Sequence, residues 1–171
     1  MINIVKGSIY FVVLVLVQVL ILNNIHFLRL ATPFLYIYFI LKLPIGFTST
    51  RVTFFSFLIG LVIDIFSNTP GMHAATCTLV GFARMPILKI IIKDEMQESL
   101  SPSLHAFGFG GFLRYVLALV VLHHVTLFLL ESLTLFDPLF LLIRIVASIV
   151  TTTLLVCIVE AFNIDAKRNA D

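Results

Sequence analysis

The chain alternates long apolar runs with short polar breaks, and this alternation dominates its 171 residues. The sequence contains six apolar runs, at residues 7–22, 30–45, 52–66, 72–92, 106–130 and 139–161. Most approach the roughly 20 residues with which an α-helix crosses about 30 Å of hydrocarbon, and flanking residues or local bilayer thinning can accommodate the short second and third runs. No small-residue cleavage site follows the first run, so it is interpreted as a permanent span. Because backbone groups in lipid must be hydrogen-bonded internally, the pattern predicts an all-α integral membrane protein, a bundle of about six transmembrane helices.

The polar breaks between the runs predict the connections of this bundle. Residues 67–71 are strong turn formers and predict a tight turn between the third and fourth helices. Residues 93–102 predict an aqueous loop, whereas the polar tail from Asn163 onward is expected to fray. Pro33 is expected in the first turn of the second helix, where its missing N–H costs little. No internal repeat is found, and residues 1–171 are expected to form a single transmembrane domain.

The composition supports a lipid environment. Hydrophobic residues make up 60% of the chain and charged residues only 12%, whereas a soluble domain carries roughly a quarter charged residues. A water-soluble fold of this size would expose apolar patches that aggregate. The net charge of +2 comes with no Lys/Arg-rich face, so the sequence predicts no nucleic-acid partner. Both cysteines lie inside apolar runs and are interpreted as small buried hydrophobes.

The basic residues predict how the bundle is oriented. If the N-terminus lies inside, most of them fall at cytoplasmic ends of the runs, and only Arg29 lies clearly outside. The residues at cytoplasmic ends are Lys6, Lys42, Arg51, Lys89, Lys93, Lys167 and Arg168. By the positive-inside rule both termini are then cytoplasmic, which agrees with an even number of spans. Lys42 lies within the second run, and we expect its ammonium group to snorkel to the interface.

Asp64 is the most informative polar position, because it lies near the outer end of the third apolar run. An ionisable group there costs a few kcal/mol by insertion scales, so it is expected to face protein, water or a partner. Two interpretations stay open: Asp64 caps the next helix or bonds to the turn at residues 67–71, or it makes a functional contact. Arg144 lies at a comparable depth and is a candidate ion partner for Asp64, with snorkelling to headgroups as the alternative. Arg84 and Arg114 also lie within runs, and snorkelling is the alternative for them as well.

The sequence carries no recognisable catalytic or metal-binding pattern. It contains no His-Glu-x-x-His, Gly-x-Ser-x-Gly or phosphate-cradling motif, and no paired carboxylates at a useful spacing. His123 and His124 are adjacent, so on a helix they point about 100° apart and cannot chelate a metal from one face. We therefore expect no enzyme activity, no metal and no cofactor.

One segment resembles a known protein family. Residues 60–75 read GLVIDIFSNTPGMHAA: a Gly-Leu-x-x-Asp-x-x-Ser stretch, a Pro/Gly turn, and Gly-x-His-Ala opening the next helix. This order resembles the signature of the bacterial rod shape-determining protein MreD family, and the chain length and multi-span pattern also agree. The matched positions are Asp64, Gly71 and His73. With Asn68 of the turn and Arg144, they are the candidate structural or partner-contact residues.

The resemblance implies a non-enzymatic membrane scaffold of the bacterial cell-elongation (rod) complex. Such proteins lie in the inner membrane and support peptidoglycan synthesis and cell shape. The implied partners are MreC and, through it, the MreB filament and the RodA glycosyltransferase with its transpeptidase partner. The implied fold is similar to the six-helix substrate-binding subunits of energy-coupling vitamin transporters. A vitamin-binding subunit of that kind is the alternative function, and it would need a polar ligand pocket near the outer face.

Overall fold

The computed structural model describes residues 4–24, 31–91, 100–132 and 137–168. Six α-helices lie within these ranges, and a short 3-10 turn at Leu22–Asn24 follows the first of them. The helices are α1 (Ile4–Leu20), α2 (Ile37–Lys42), α3 (Ser49–Ser67), α4 (Met72–Ile91), α5 (Leu104–Glu131) and α6 (Pro138–Arg168). In this part of the chain, α3, α4, α5 and α6 are long and apolar enough to cross a membrane, and α1 contains a shorter apolar stretch at Gly7–Leu20.

The structure confirms the all-helical fold and the positions of the last four apolar runs, which form α3 to α6. The helix α5 is interrupted near its beginning by a kink at Gly108, which has φ +65° and ψ 167°. The helix α6 continues through Arg168, so the prediction that the chain frays from Asn163 onward is wrong over those residues. Residues 92–99 lie outside the described residues, and with them most of the predicted aqueous loop.

The second apolar run differs most from its prediction. Only Ile37–Lys42 is helical, so the expected continuous helix with Pro33 in its first turn is wrong. Residues 33–41 are all buried. Non-helical backbone is tolerated at membrane depth only where protein covers it or where it lines a water-filled cavity. We call residues 31–43 the broken segment, and the other helices pack around it.

The helices α3 and α4 form an antiparallel hairpin with close backbone contact. A β-carbon added at Gly60 would lie 2.5 Å from the carbonyl oxygen of His73. Four residues earlier on α3, the side chain of Ser56 lies directly against Gly81 of α4. Small residues allow helix backbones in membranes to approach closely, and these two glycines permit the close contact between α3 and α4.

The bundle exposes large apolar side chains on its outside, and its interior holds polar side chains beside an apolar core. Large apolar side chains such as Ile65, Phe82 and Phe162 are exposed to 70%, 64% and 72% respectively. In contrast, Gln18 and Arg84 are completely buried. In water such a surface would aggregate, whereas lipid suits it. Together with the four long apolar helices, this distribution indicates a multi-pass membrane protein.

Candidate functional site

Asp64 binds the N-terminus of α4. Its Oδ1 accepts hydrogen bonds from the hydroxyl of Thr69 at 2.8 Å and from the N–H of His73 at 3.0 Å. Its Oδ2 accepts the N–H of Ala74 at 2.8 Å. The first N–H groups of a helix lack intrahelical partners, and a carboxylate there is also favoured by the helix dipole. The interpretation of Asp64 as a cap of the next helix is therefore confirmed.

The turn after Asp64 depends on two residues that tolerate a left-handed backbone. Asn68 has φ 54° and ψ 41°, and its N–H bonds to the carbonyl oxygen of Asp64. Gly71 has φ +81°. Asn and Gly are the residues that adopt this conformation at least cost, so both candidate positions have a structural task in the turn. A hydrogen bond of 3.0 Å from Asn23 to the hydroxyl of Ser67 joins the last residue of α3 to the 3-10 turn that follows α1.

Arg144 does not pair with Asp64, so that prediction is wrong. Its Nη2 lies 3.1 Å from Oε1 of Glu131 on the neighbouring helix α5. Its guanidinium carbon also lies 4.7 Å from the centre of the Phe128 ring, a cation–π contact. Asp64 does not need a cation as its partner, because its oxygens accept hydrogen bonds from the α4 backbone. Arg144 packs against α5 and pairs with Glu131 there.

His73 belongs to a buried chain of three polar rings. The Tyr36 hydroxyl lies 2.7 Å from Nδ1 of His73 and 2.6 Å from Nε2 of His123. A tyrosine hydroxyl has one proton, so it donates to one imidazole and accepts from the other when both are neutral. Nδ1 of His123 is buried and has no hydrogen-bond partner among the residues that the structure describes.

The second of the adjacent histidines has its own partners. Nδ1 of His124 lies 2.8 Å from the carbonyl oxygen of Val120, which can only accept, so this nitrogen carries the proton. Its Nε2 then accepts the hydroxyl proton of Thr152 at 3.1 Å. The Phe34 ring lies at the centre of this cluster, with ring-centroid distances of 5.4 to 5.6 Å to His73, His123 and His124. The described residues contain no group of His, Cys, Asp and Glu that could hold a metal.

Side chains from α1 and α6 satisfy the backbone of the broken segment where it is not helical. The Gln18 amide accepts the N–H of Leu35 at 2.8 Å and donates to the carbonyl oxygen of Pro33 at 3.0 Å. The Thr152 hydroxyl accepts the N–H of Phe34 at 3.1 Å. One turn earlier on α6, Ser148 accepts the N–H of Thr32 at 3.0 Å. These contacts replace the bonds that a helix would have supplied.

Arg84 and Tyr115 bind the C-terminal end of α2. Arg84 donates from Nε to the Tyr115 hydroxyl at 2.9 Å and from Nη2 to the carbonyl oxygen of Leu43. The Tyr115 hydroxyl donates to the carbonyl oxygen of Leu41 at 3.0 Å. A cation is favoured where helix carbonyls end without partners. Because Arg84 is completely buried, the alternative that it snorkels to the headgroups is wrong.

A second buried carboxylate, Glu160, joins three elements at the opposite end of the bundle from Asp64. Its Oε2 lies 3.1 Å from Nζ of Lys42 and accepts the Tyr38 hydroxyl at 2.6 Å. Its Oε1 accepts the N–H of Leu104, the first residue of α5, at 3.3 Å. Lys42 also donates to the carbonyl oxygen of Pro102 at 2.7 Å, so its ammonium group is held by protein rather than snorkelling.

The same end of the bundle connects the first and last helices. Asn163 donates to the Tyr38 hydroxyl at 2.8 Å and accepts the Tyr10 hydroxyl at 2.8 Å. The N-terminal half of α1 and the C-terminal half of α6 therefore lie at one end of the bundle. Gln18, Tyr36 and Glu160 are not among the residues predicted from the sequence, although a polar residue inside an apolar run indicates a buried contact.

The chain matches no protein-family model and has no significant match among the curated proteins or the solved structures. The resemblance to the MreD family therefore depends on the segment at residues 60–75 and on the overall pattern of the chain.

Proposed function

We propose that this protein is a non-enzymatic membrane scaffold of the bacterial cell-elongation complex, of the MreD kind. One observation carries the proposal: the residues that form the resemblance all build the α3–α4 hairpin. Gly60 allows the two backbones to touch, Asp64 caps α4, and Gly71 takes the positive φ of the turn. His73 bonds to Tyr36 of the broken segment. Each of these motif residues therefore has a structural contact within the protein, as expected of a scaffold.

The buried polar groups support a structural role because they bind the chain's own backbone and side chains. Asp64 accepts three hydrogen bonds from the turn and from α4. Gln18 bonds to the carbonyl oxygen of Pro33 and to the N–H of Leu35 in the broken segment. Catalytic and ligand-binding sites need polar groups that converge on a concave space open to a substrate. Here Gln18 binds the broken segment, and Asp64 binds the turn and the beginning of α4.

The same packing weighs against the alternative of a vitamin-binding transporter subunit. Such a subunit would need a polar pocket near the outer end of the bundle, the end at which Asp64 lies. In the described part of the chain, buried residues 33–41 occupy the centre between the helices, and the His73 and His123 rings are bonded to Tyr36. A vitamin would have to displace these contacts.

The proposed surroundings follow from this function. The partners are the lipid bilayer, MreC and, through MreC, the MreB filament and RodA with its transpeptidase partner. The location is the inner membrane, with both termini cytoplasmic. The hydrogen bond between Tyr10 and Asn163 supports the part of this topology that brings both ends of the chain to one side.

Depletion of the protein in its own bacterium tests the proposal. We expect cells to round or swell and the labelling of new lateral wall to disperse, while uptake of radiolabelled vitamins stays unchanged. Re-expression of the wild-type chain should restore both properties. Normal shape and normal wall labelling after a clean deletion would exclude the scaffold function, and a selective loss of vitamin uptake would favour the transporter subunit. Adjacent reading frames for MreB and MreC would be independent support.

A further inference from the structure

The outer surface of the α3–α4 hairpin carries a groove of about 480 Å³ that opens away from the bundle. Hydroxyl side chains of Ser49, Thr50 and Thr53 line one part of it, and the rings of Phe54, Phe57 and Phe82 line the other, with Thr78 beside them. The ring of Phe54 is 56% exposed. The groove therefore faces the space that lipid occupies around a membrane protein.

On the α3 side, polarity changes along the groove in one direction. The hydroxyl of Thr78, on α4, donates to the carbonyl oxygen of Ala74 in its own helix at 2.6 Å. Ser49 is the first residue of α3, and Phe57 lies eight residues farther along, roughly 12 Å deeper at the rise of an α-helix. The hydroxyls come first, at the end of the helix, and the phenyl rings follow toward its middle. Phe82 of α4 extends the ring-lined part from the other side.

Two cations lie at the end of the hairpin where the groove is polar. Arg51 lies in the first turn of α3 and is exposed. Lys89 lies in the last turn of α4, is exposed, and follows Phe82 by seven residues, which places both on one face of α4. The two helices are antiparallel, so these ends are neighbours. Asp64 is the one acidic residue in the described α3 and α4 helices, and it lies at the far end of α3 from these two cations.

We propose that this groove binds one anionic phospholipid. The phosphate lies between Arg51 and Lys89, the ester region meets the hydroxyls of the first α3 turns, and an acyl chain lies along the phenyl rings. The order cation, hydroxyl, ring along the groove matches the order phosphate, ester, hydrocarbon along a phospholipid. The phosphate also supplies the negative charge that this end of α3 and α4 lacks in its own side chains. Basic residues near an anionic membrane surface contribute enough to change affinity roughly fivefold each.

Native mass spectrometry of the purified full-length chain tests this proposal. The protein in detergent is titrated with phosphatidylglycerol and, separately, with phosphatidylcholine. We expect the wild type to retain phosphatidylglycerol preferentially. Arg51→Gln and Lys89→Gln should each weaken that preference roughly fivefold. Thr50→Trp, which fills the mouth of the groove from an exposed position, should reduce retention of both lipids.

Arg114→Gln is the matched control, because Arg114 is an exposed cation on α5 outside the groove. It should leave lipid retention unchanged. An equal loss with Arg114→Gln would mean that the charges act without a site, and unchanged retention with Thr50→Trp would mean that the groove is not occupied by lipid. A doubled mass that Thr50→Trp abolishes would assign the groove to a second copy of the chain. Each of these three results overturns the proposal.

Discussion

Asp64 and Ala74 are ten residues apart in sequence and are joined by a hydrogen bond of 2.8 Å from the Ala74 N–H to Oδ2 of Asp64. The bond crosses the turn between α3 and α4, and it fixes the end of one helix to the beginning of the next. The hairpin thus replaces water, which would normally satisfy the first N–H groups of a helix, with a carboxylate from its own chain. Such a replacement matters most where water is scarce.

Substitution of Asp64 tests this cap. Asp64→Ala leaves the N–H groups of His73 and Ala74 without their acceptor, and a buried unsatisfied group costs about 1–3 kcal/mol. We expect a clear fall in the thermal midpoint of the purified protein and in its abundance in the membrane. Asp64→Asn keeps one acceptor oxygen and should be milder. If the function proposed above holds, co-purification of MreC falls in the same order. Wild-type stability in both variants would contradict the cap.

Gly60 offers a test of the close approach between α3 and α4. A β-carbon at this position would lie 2.5 Å from the carbonyl oxygen of His73, which is backbone and cannot rotate away. We expect Gly60→Ala to lower stability by about 1–3 kcal/mol, as overpacked sites do. Gly110→Ala is the control, because a β-carbon there meets nothing within 4 Å. Its stability, measured in the same thermal unfolding assay, should be unchanged or slightly higher. Equal effects of the two variants would argue against tight packing at Gly60.

The sequence pattern predicted the long helices well because lipid imposes a simple requirement on them. Each crossing helix satisfies its own backbone, so its length and apolar character can be recognised locally. Asp64 could also be recognised, since it lies in an apolar run directly before strong turn formers. Its cap partners, His73 and Ala74, are close in sequence.

The broken segment could not be predicted, because its structure depends on residues far away in the chain. Phe34 bonds to Thr152 and Tyr38 bonds to Glu160, more than one hundred residues later. A run of apolar residues predicts a helix unless such partners are known. The partner of Arg144 is Glu131 rather than Asp64 for the same reason, because a comparable depth does not reveal which neighbouring helix a side chain faces.

Tyr36→Phe tests the chain of buried rings. The variant keeps the aromatic ring but removes the hydroxyl that lies between His73 and His123. Both imidazoles then lose a partner in a buried site, and we expect a loss of about 1–3 kcal/mol in thermal unfolding. Tyr10→Phe is the matched control, since its hydroxyl bonds to Asn163 in an exposed position and should contribute less. A larger effect from Tyr10→Phe would contradict the assigned importance of the buried hydroxyl.

Reporter fusions test the proposed topology. Fusions after Lys93 and after Lys167 should both report a cytoplasmic location, and a fusion after Asn68 should report the outer side. The reason is the excess of basic residues at one set of helix ends. The hydrogen bond between Tyr10 and Asn163 also places the beginning of α1 and the C-terminal part of α6 at the same end of the bundle. A periplasmic signal from the fusion after Lys167 would overturn the arrangement with both termini inside.

The two ion pairs of the described chain allow a direct comparison between a buried and an exposed pair. In the Lys42–Glu160 pair the side chains are 22% and 2% exposed, whereas in the Arg144–Glu131 pair they are 27% and 40% exposed. Removal of one member of a buried pair costs about 3–5 kcal/mol, while exposed pairs contribute roughly 0–1 kcal/mol. We therefore expect Glu160→Ala to destabilise the protein strongly and Glu131→Ala to do so weakly.

Double-mutant cycles separate each pair from its other contacts, since Glu160 also accepts hydrogen bonds from Tyr38 and Leu104. Thermal unfolding of Lys42→Ala, Glu160→Ala and the double variant should give a coupling energy of about 1–3 kcal/mol. The cycle for Arg144 and Glu131 should give less than about 1 kcal/mol. If the Lys42–Glu160 coupling energy is also below about 1 kcal/mol, the effect of Glu160→Ala comes from the lost bonds to Tyr38 and Leu104 rather than from the ion pair.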